Sequence, residues 1–339
     1  MRSWAALAGT LGIVQLLTLL GRSESFSALS YALVLAGGSA VVTALLWRQS
    51  VSHGAVVLAG AALAHGVTLF GVPDFVDDYF RFLWDGWRTL HTGTPYGIAP
   101  GLFFVDQTVP TELRPILDGI NNPELPTIYG PVLQAAFAGV FALAGGNPLG
   151  LQLLFCGTNL AVIIMLLRRH PPGQVALYAW NPLVIADTGL HLHPDGLISA
   201  ALMAALLAGR TRPRLAGLML AAAAGVKLVA LAIWPVLLRM RPAALGMALS
   251  ALGGLYCVFL VQGNGAGFET TATFAKLWHF NPLAYEGLFR LFGWQAARIP
   301  AVLVAGLLVL WLHARSRTLE DVPVGTIFAV VLLLSPVVN

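Results

Sequence analysis

The sequence predicts an all-α integral membrane protein: a polytopic bundle of about eleven membrane-crossing helices, with interfacial and re-entrant helices in its first large extracytoplasmic loop. Three observations carry this. Of 339 residues, 58% are hydrophobic and only 10% are charged, whereas a water-soluble domain carries roughly a quarter charged residues. Apolar runs of about 16 to 23 residues recur along the chain, close to the ~20 that a helix needs to cross a bilayer core. The runs are continuous rather than alternating, which excludes a transmembrane barrel.

Taken in order, spans are expected at 4–20, 27–47, 54–72, 149–167, 173–188, 195–209, 243–262, 298–313 and 323–338. The first follows Arg2 but is long for a signal-peptide core, and no small-x-small cleavage site precedes a soluble domain, so it is read as a retained helix. Two stretches are ambiguous. Residues 129–146 begin beside Pro126 and Pro131 and end in Gly145-Gly146, while 215–238 carries Gly225-Val226-Lys227 near its middle. Charge separates the alternatives, because cytoplasmic loops collect Lys and Arg. If 129–146 does not cross and 215–238 crosses twice as a short helical hairpin, Arg2, Arg48, Arg168, Arg169, Arg210, Arg212, Arg214, Arg239, Arg241, Arg315 and Arg317 share the cytoplasmic face. Every acid except Glu320 and Asp321 then lies on or near the opposite face. The whole chain, 1–339, reads as one transmembrane domain: three helices in 1–72, an extracytoplasmic loop in 73–148 and the remaining helices in 149–339.

Composition also excludes several classes. Cys156 and Cys257 both fall in apolar runs, which supports neither a disulfide framework nor a cysteine metal site. The net charge of +4 comes without a dense basic patch interleaved with aromatics, so no nucleic-acid partner is expected and the arginines are read as topology signals.

The chemistry concentrates at the outer face. Asp77 and Asp78 precede an amphipathic segment in which Phe80, Leu83, Trp84, Trp87 and Leu90 recur at helical spacing. Such aromatic-rich segments lie flat in the membrane interface. Adjacent carboxylates there suit a general base, which takes a proton from an attacking hydroxyl; they equally suit a helix N-cap or loop solubility. The cluster Asp187-Thr188-Gly189-Leu190-His191-Leu192-His193-Pro194-Asp195 is compatible with a metal, with imidazoles facing an anionic substrate, or with an outward loop cap. With no further Cys or Glu at a recognisable spacing, neither a metal nor a cofactor is assigned. Lys227 falls at the hairpin tip; a lysine in mid-hydrocarbon costs ~2.5 kcal/mol or more, so it faces a cavity or a partner. A third polar segment, 263–295, contains Lys276, Trp278, His279, Asn281, Glu286 and Arg290. Lys227, His193, His279 and a loop arginine would together neutralise a phosphate.

These residues also carry a resemblance. Val76-Asp77-Asp78-Tyr79-Phe80-Arg81-Phe82-Leu83-Trp84-Asp85-Gly86, Thr94-Pro95-Tyr96 and Leu125-Pro126-Thr127-Ile128-Tyr129-Gly130-Pro131 resemble the first-loop signature of bacterial polyprenyl-phosphate-dependent mannosyltransferases, glycosyltransferase family 87 of the GT-C superfamily. Tyr178-Ala179-Trp180-Asn181-Pro182-Leu183-Val184, His193-Pro194-Asp195, Lys227, Trp278-His279-Phe280-Asn281 and Ser335-Pro336 match further elements in order. The resemblance implies an inverting transfer of a sugar, mannose on this ground alone, from a polyprenyl-phosphate donor to a lipid or glycan hydroxyl outside the inner membrane. It implies Asp77 or Asp78 as base, and Lys227, His193, Asp195, His279, Arg81 and Tyr129 at the donor, with no metal. Membrane lipids and the two substrates are the expected partners. Gly130 stands where a second proline is expected and Asp187 where glutamate is common. The chain stops at Val337-Val338-Asn339 inside an apolar run, where such enzymes continue with more helix. Two other classes use similar features. A lipid-linked sugar transporter or flippase would place charges along a transmembrane path, and a non-catalytic envelope-assembly subunit would tolerate loss of the acidic pair.

Overall fold

The computed structural model describes residues 2–21, 27–47, 51–71, 76–209, 211–263, 269–270, 272–273, 283–293, 296–316 and 322–334. Among these residues there are helices and no strands. Among the described residues, five helices are long and apolar enough to cross a membrane: Ser3–Leu20, Ala28–Leu46, Leu149–Leu167, Pro242–Gln262 and Arg298–Arg315. The chain is therefore a helical, membrane-embedded protein. Its contacts cluster into two compact units, each discontinuous in sequence.

The first unit comprises Met1–Gly93, Pro100–Pro123 and Gln134–Met203. It contains α1 (Arg2–Leu20), α2 (Ala28–Leu46), α3 (Gly54–Thr68), α4 (Asp78–Thr92), α5 (Arg114–Asp118), most of α6 (Pro131–Ala144), α7 (Leu149–Leu167), α8 (Pro172–Ala179), α9 (Pro182–Gly189) and the start of α10 (Asp195–Ala208). Leu7, Val42, Leu46, Val57, Ile163 and Trp180 form one continuous apolar core that joins α1, α2, α3 and α7 to the α8–α9 segment.

The span expected at 173–188 is broken into two helices of eight residues, each only about 12 Å long. The cause is Pro182, which has no N–H to donate and disfavours helical backbone in the residue before it. Asn181 is accordingly extended, and its side chain accepts from the Leu183 N–H to start the next helix. Several polar groups at the break find partners. Thr10 donates to the Trp180 carbonyl at 2.6 Å, the Trp180 indole donates to the Val57 carbonyl at 2.9 Å, and Ser39 accepts from the Leu183 N–H. Likewise α3 ends at Thr68, short of the expected residue 72, where two turn hydrogen bonds close the chain at Phe70 and Gly71.

The amphipathic segment forms α4, and the protein covers it on both faces. Leu83, Trp84 and Trp87 are buried, as are Phe82, Asp85 and Gly86 on the other side. Phe82 stacks on Phe137 at 4.5 Å, Gln134 donates to Asp85 at 2.9 Å, and Trp84 meets Phe103 edge-on. Gly86 lies against the Phe137 backbone carbonyl, where any Cβ would collide. Hence α4 is an internal strut of the loop, with Leu90 its exposed apolar residue at 47%.

The second unit comprises Thr94–Ala99, Glu124–Leu133 and Ala204–Asn339. Its core is α11 (Pro213–Val226) packed on α12 (Pro242–Gly263) through small residues, with Gly217 against the Ala244 backbone. As expected, 215–238 is broken at Lys227, whose backbone is extended; a 3₁₀ helix follows over Leu228–Arg239 and folds back, so that Trp234 donates to the Leu220 carbonyl. Near the break, Tyr256 donates to the Ala224 carbonyl at 3.0 Å. Pro235 cannot donate to the Ala232 carbonyl three residues earlier, and His313 Nε2–H of α14 (Arg298–Arg315) does so at 2.9 Å. The unit is completed by α13 (Leu283–Phe292) and α15 (Val324–Leu334); the rest of the span expected at 323–338 lies outside the described residues.

One side chain on α7 holds two helix ends. The buried Gln152 amide nitrogen lies 3.1 Å from the Thr68 carbonyl, 3.3 Å from that of Gly71 and 2.9 Å from that of Gly189. Leucine there would remove the donor that the buried Gly189 carbonyl receives, at a cost of about 2 kcal/mol. Gln152→Leu is expected to lower the thermal midpoint of the detergent-purified protein, whereas a midpoint equal to the wild type would show that the carbonyls find other donors.

Candidate functional site

The acidic pair sits where the loop enters α4. Asp77 is the N-cap residue, yet its side chain makes no capping bond; it is exposed, while Asp78 is half-buried. The Asn121 amide instead bridges the two carboxylates, donating to Asp77 Oδ1 at 2.6 Å and to Asp78 Oδ1 at 2.9 Å. One neutral donor thus lets two anions stand side by side, and it occupies one oxygen of each.

Asn121 is placed by its neighbours. Asn122 takes the left-handed conformation at φ 45°, a backbone region that asparagine tolerates, and its carbonyl accepts from Arg81 at 3.1 Å. The sequence reading puts Arg81 at the donor. The residue is 7% exposed, and its guanidinium ties the 121–122 turn to the helix that Asp78 begins. Below the turn, Phe80 packs on Gly119, and Arg114 holds the carbonyls of Phe103, Phe104 and Asp106.

The histidine cluster lies in the same unit. His193 Nδ1–H donates to Asp187 Oδ1 at 2.6 Å, and His191 Nδ1 lies 3.9 Å from the same oxygen while its Nε2 meets the Tyr31 hydroxyl at 3.0 Å. The carboxylate that meets both histidines is Asp187, one helical turn before His191. Leu192 makes this possible. It is fully buried in the left-handed region at φ 57° and turns the chain so that residues on both sides of it reach one carboxylate. Asp195 opens α10 and is half-buried.

In the second unit, Tyr129 and Lys227 come from adjoining backbone. Gly130 lies on the carbonyls of Gly225 and Val226, too close for any Cβ. This accounts for the glycine at a position where a proline was expected. The Tyr129 carbonyl accepts from Tyr96 at 3.3 Å, and both Tyr129 and Lys227 are half-buried. His279 lies outside the described residues, as do Lys276, Trp278 and Asn281.

Asn121, Gln152, Tyr31 and the role of Asp187 were not found by sequence reasoning. Asp187 carried a signal, its i, i+4 spacing to His191 on a helix; Asn121 carried none, because its partners are more than forty residues away.

If Arg81 positions the turn, Arg81→Met should speed backbone hydrogen exchange over 119–124 while α7 keeps its protection; unchanged exchange at 119–124 would remove that role. The chain matches no protein-family model, no curated protein and no solved structure, so the functional reading rests on the residues themselves.

Proposed function

We propose that this chain is an inverting glycosyltransferase that moves a sugar, mannose by resemblance, from a polyprenyl-phosphate donor to a hydroxyl of a lipid or glycan acceptor. It works at the extracytoplasmic face of the inner membrane, in an eleven-crossing topology with the arginine-rich loops inside. The observation that carries the reading is the Asn121-bridged pair Asp77–Asp78, held at the entrance of a buried helix.

Glycosyl transfer asks little of the protein beyond this. The donor already carries a phosphate leaving group, so the enzyme must deprotonate the acceptor, steady oxocarbenium-like charge and hold the departing phosphate. Asp78 is the base: its Oδ1 is engaged by Asn121, which leaves Oδ2 for the proton, and its partial burial makes it less hydrated than Asp77. As the acceptor hydroxyl gives its proton to Asp78, its oxygen bonds to the anomeric carbon. The bond from that carbon to the phosphate oxygen breaks, and the polyprenyl phosphate leaves with the electron pair. Asp77 keeps the local field negative, which favours a cationic transition state. The resemblance assigns Lys227, His279, Tyr129 and Asp195 to the donor. The reaction is hydrophilic, but its donor tail is not, which accounts for a helical membrane scaffold.

The test is transfer from radiolabelled polyprenyl phosphate mannose to a lipid extract by the protein reconstituted in lipid. Asp78→Asn should lower the rate by about 10²- to 10⁴-fold, the range of general-base catalysis, and Asp77→Asn by less. Full transfer by both variants would remove the base assignment. Donor that crosses the bilayer with its glycosidic bond intact would mark a flippase.

A further inference from the structure

We infer that Asp187, His191 and His193 form a binding site for a divalent first-row transition ion of the zinc type. The site goes beyond the transferase reading and does not rest on it.

The three side chains offer one ligand atom each, and these atoms all lie within 4.8 Å of one another. Two imidazole nitrogens and one carboxylate oxygen match the donor set that such ions prefer over magnesium or calcium, which take oxygen alone. The side chains remain reachable from solvent, with exposures of 14% for His191, 35% for His193 and 39% for Asp187. Three protein ligands also leave the fourth position of a tetrahedral ion open.

The hydrogen bonding fits the same assignment. In a tetrahedral site with bonds of about 2.0–2.1 Å, neighbouring ligand atoms lie roughly 3.3 Å apart. The His191 Nδ1 to Asp187 Oδ1 separation of 3.9 Å closes to that by a small rotation, and the 2.6 Å His193–Asp187 contact opens to it when the proton it shares leaves. The ion would therefore replace a proton, as metal binding to imidazole does at neutral pH. Tyr31 is positioned to select the tautomer: when His191 donates Nε2–H to the Tyr31 hydroxyl at 3.0 Å, Nδ1 carries the lone pair toward Asp187. Leu192, fully buried in the left-handed region, fixes the turn that carries both histidines.

The test uses the full chain in detergent with any affinity tag removed, stripped with chelator and titrated with Co²⁺ and then Zn²⁺. The expected result is one Co²⁺ per chain with intense visible bands of four-coordinate geometry, displaced by one equivalent of Zn²⁺. His191→Ala and Asp187→Ala should each weaken binding by at least ~10-fold, and Tyr31→Phe by about 10-fold. His193→Cys should retain the ion and add a thiolate-to-cobalt charge-transfer band, a signature that a folding defect cannot produce. Co²⁺ that keeps its octahedral aquo spectrum in the wild type, or Zn²⁺ affinity unchanged in His191→Ala, would overturn the site.

Discussion

The first unit depends on one constraint: a backbone that turns inside a membrane protein must find partners for the carbonyls it leaves behind. Gln152 meets that constraint at two places at once. Its amide reaches the end of α3 at Thr68 and Gly71 and the end of α9 at Gly189. Those are the points from which the chain leaves toward the acidic pair and toward the histidine cluster. A single buried side chain thus sets the departure of both polar loops from the same apolar body. The same logic recurs at the Asn181–Pro182 break, where Thr10 and Ser39 serve the freed groups, and in the second unit, where His313 supplies the donor that Pro235 lacks.

Within that frame the first loop divides its signature residues between structure and chemistry. Phe82, Trp84, Asp85 and Gly86 are packed against α6 and the Pro100–Phe103 turn, so their contribution is to seat α4. Arg81 donates to the Asn122 carbonyl in the turn. Asp77 is exposed and Asp78 half-buried, and the Asn121 amide joins their two carboxylates. In the proposed mechanism these hydrogen bonds are what would orient Asp78 toward an acceptor hydroxyl.

Much of the fold was legible because it is written in local terms. Continuous apolar runs located helices such as Leu149–Leu167 to the residue, and helical spacing located α4. Gly225-Val226-Lys227 marked the break in 215–238. Asn181-Pro182 carried an equally local signal that the apolar average over 173–188 concealed. What was not legible depends on distant partners. Nothing near Asn121 announces that it bridges Asp77 and Asp78, and nothing in a His-x-His-x-Asp spacing shows that Asp187, rather than Asp195, completes the cluster through a left-handed leucine. Burial of α4 on both faces follows likewise from residues of α6 that lie some fifty positions away.

The central claim, a direct displacement assisted by one carboxylate base, has a stereochemical consequence that is independent of rates. The anomeric configuration of the transferred sugar, read by proton NMR from its one-bond carbon–hydrogen coupling in donor and product, tests it most directly. Inversion at the anomeric carbon is predicted. Retention would contradict the account, since it requires a second displacement through a covalent glycosyl-enzyme, and with it a nucleophile in place of a base.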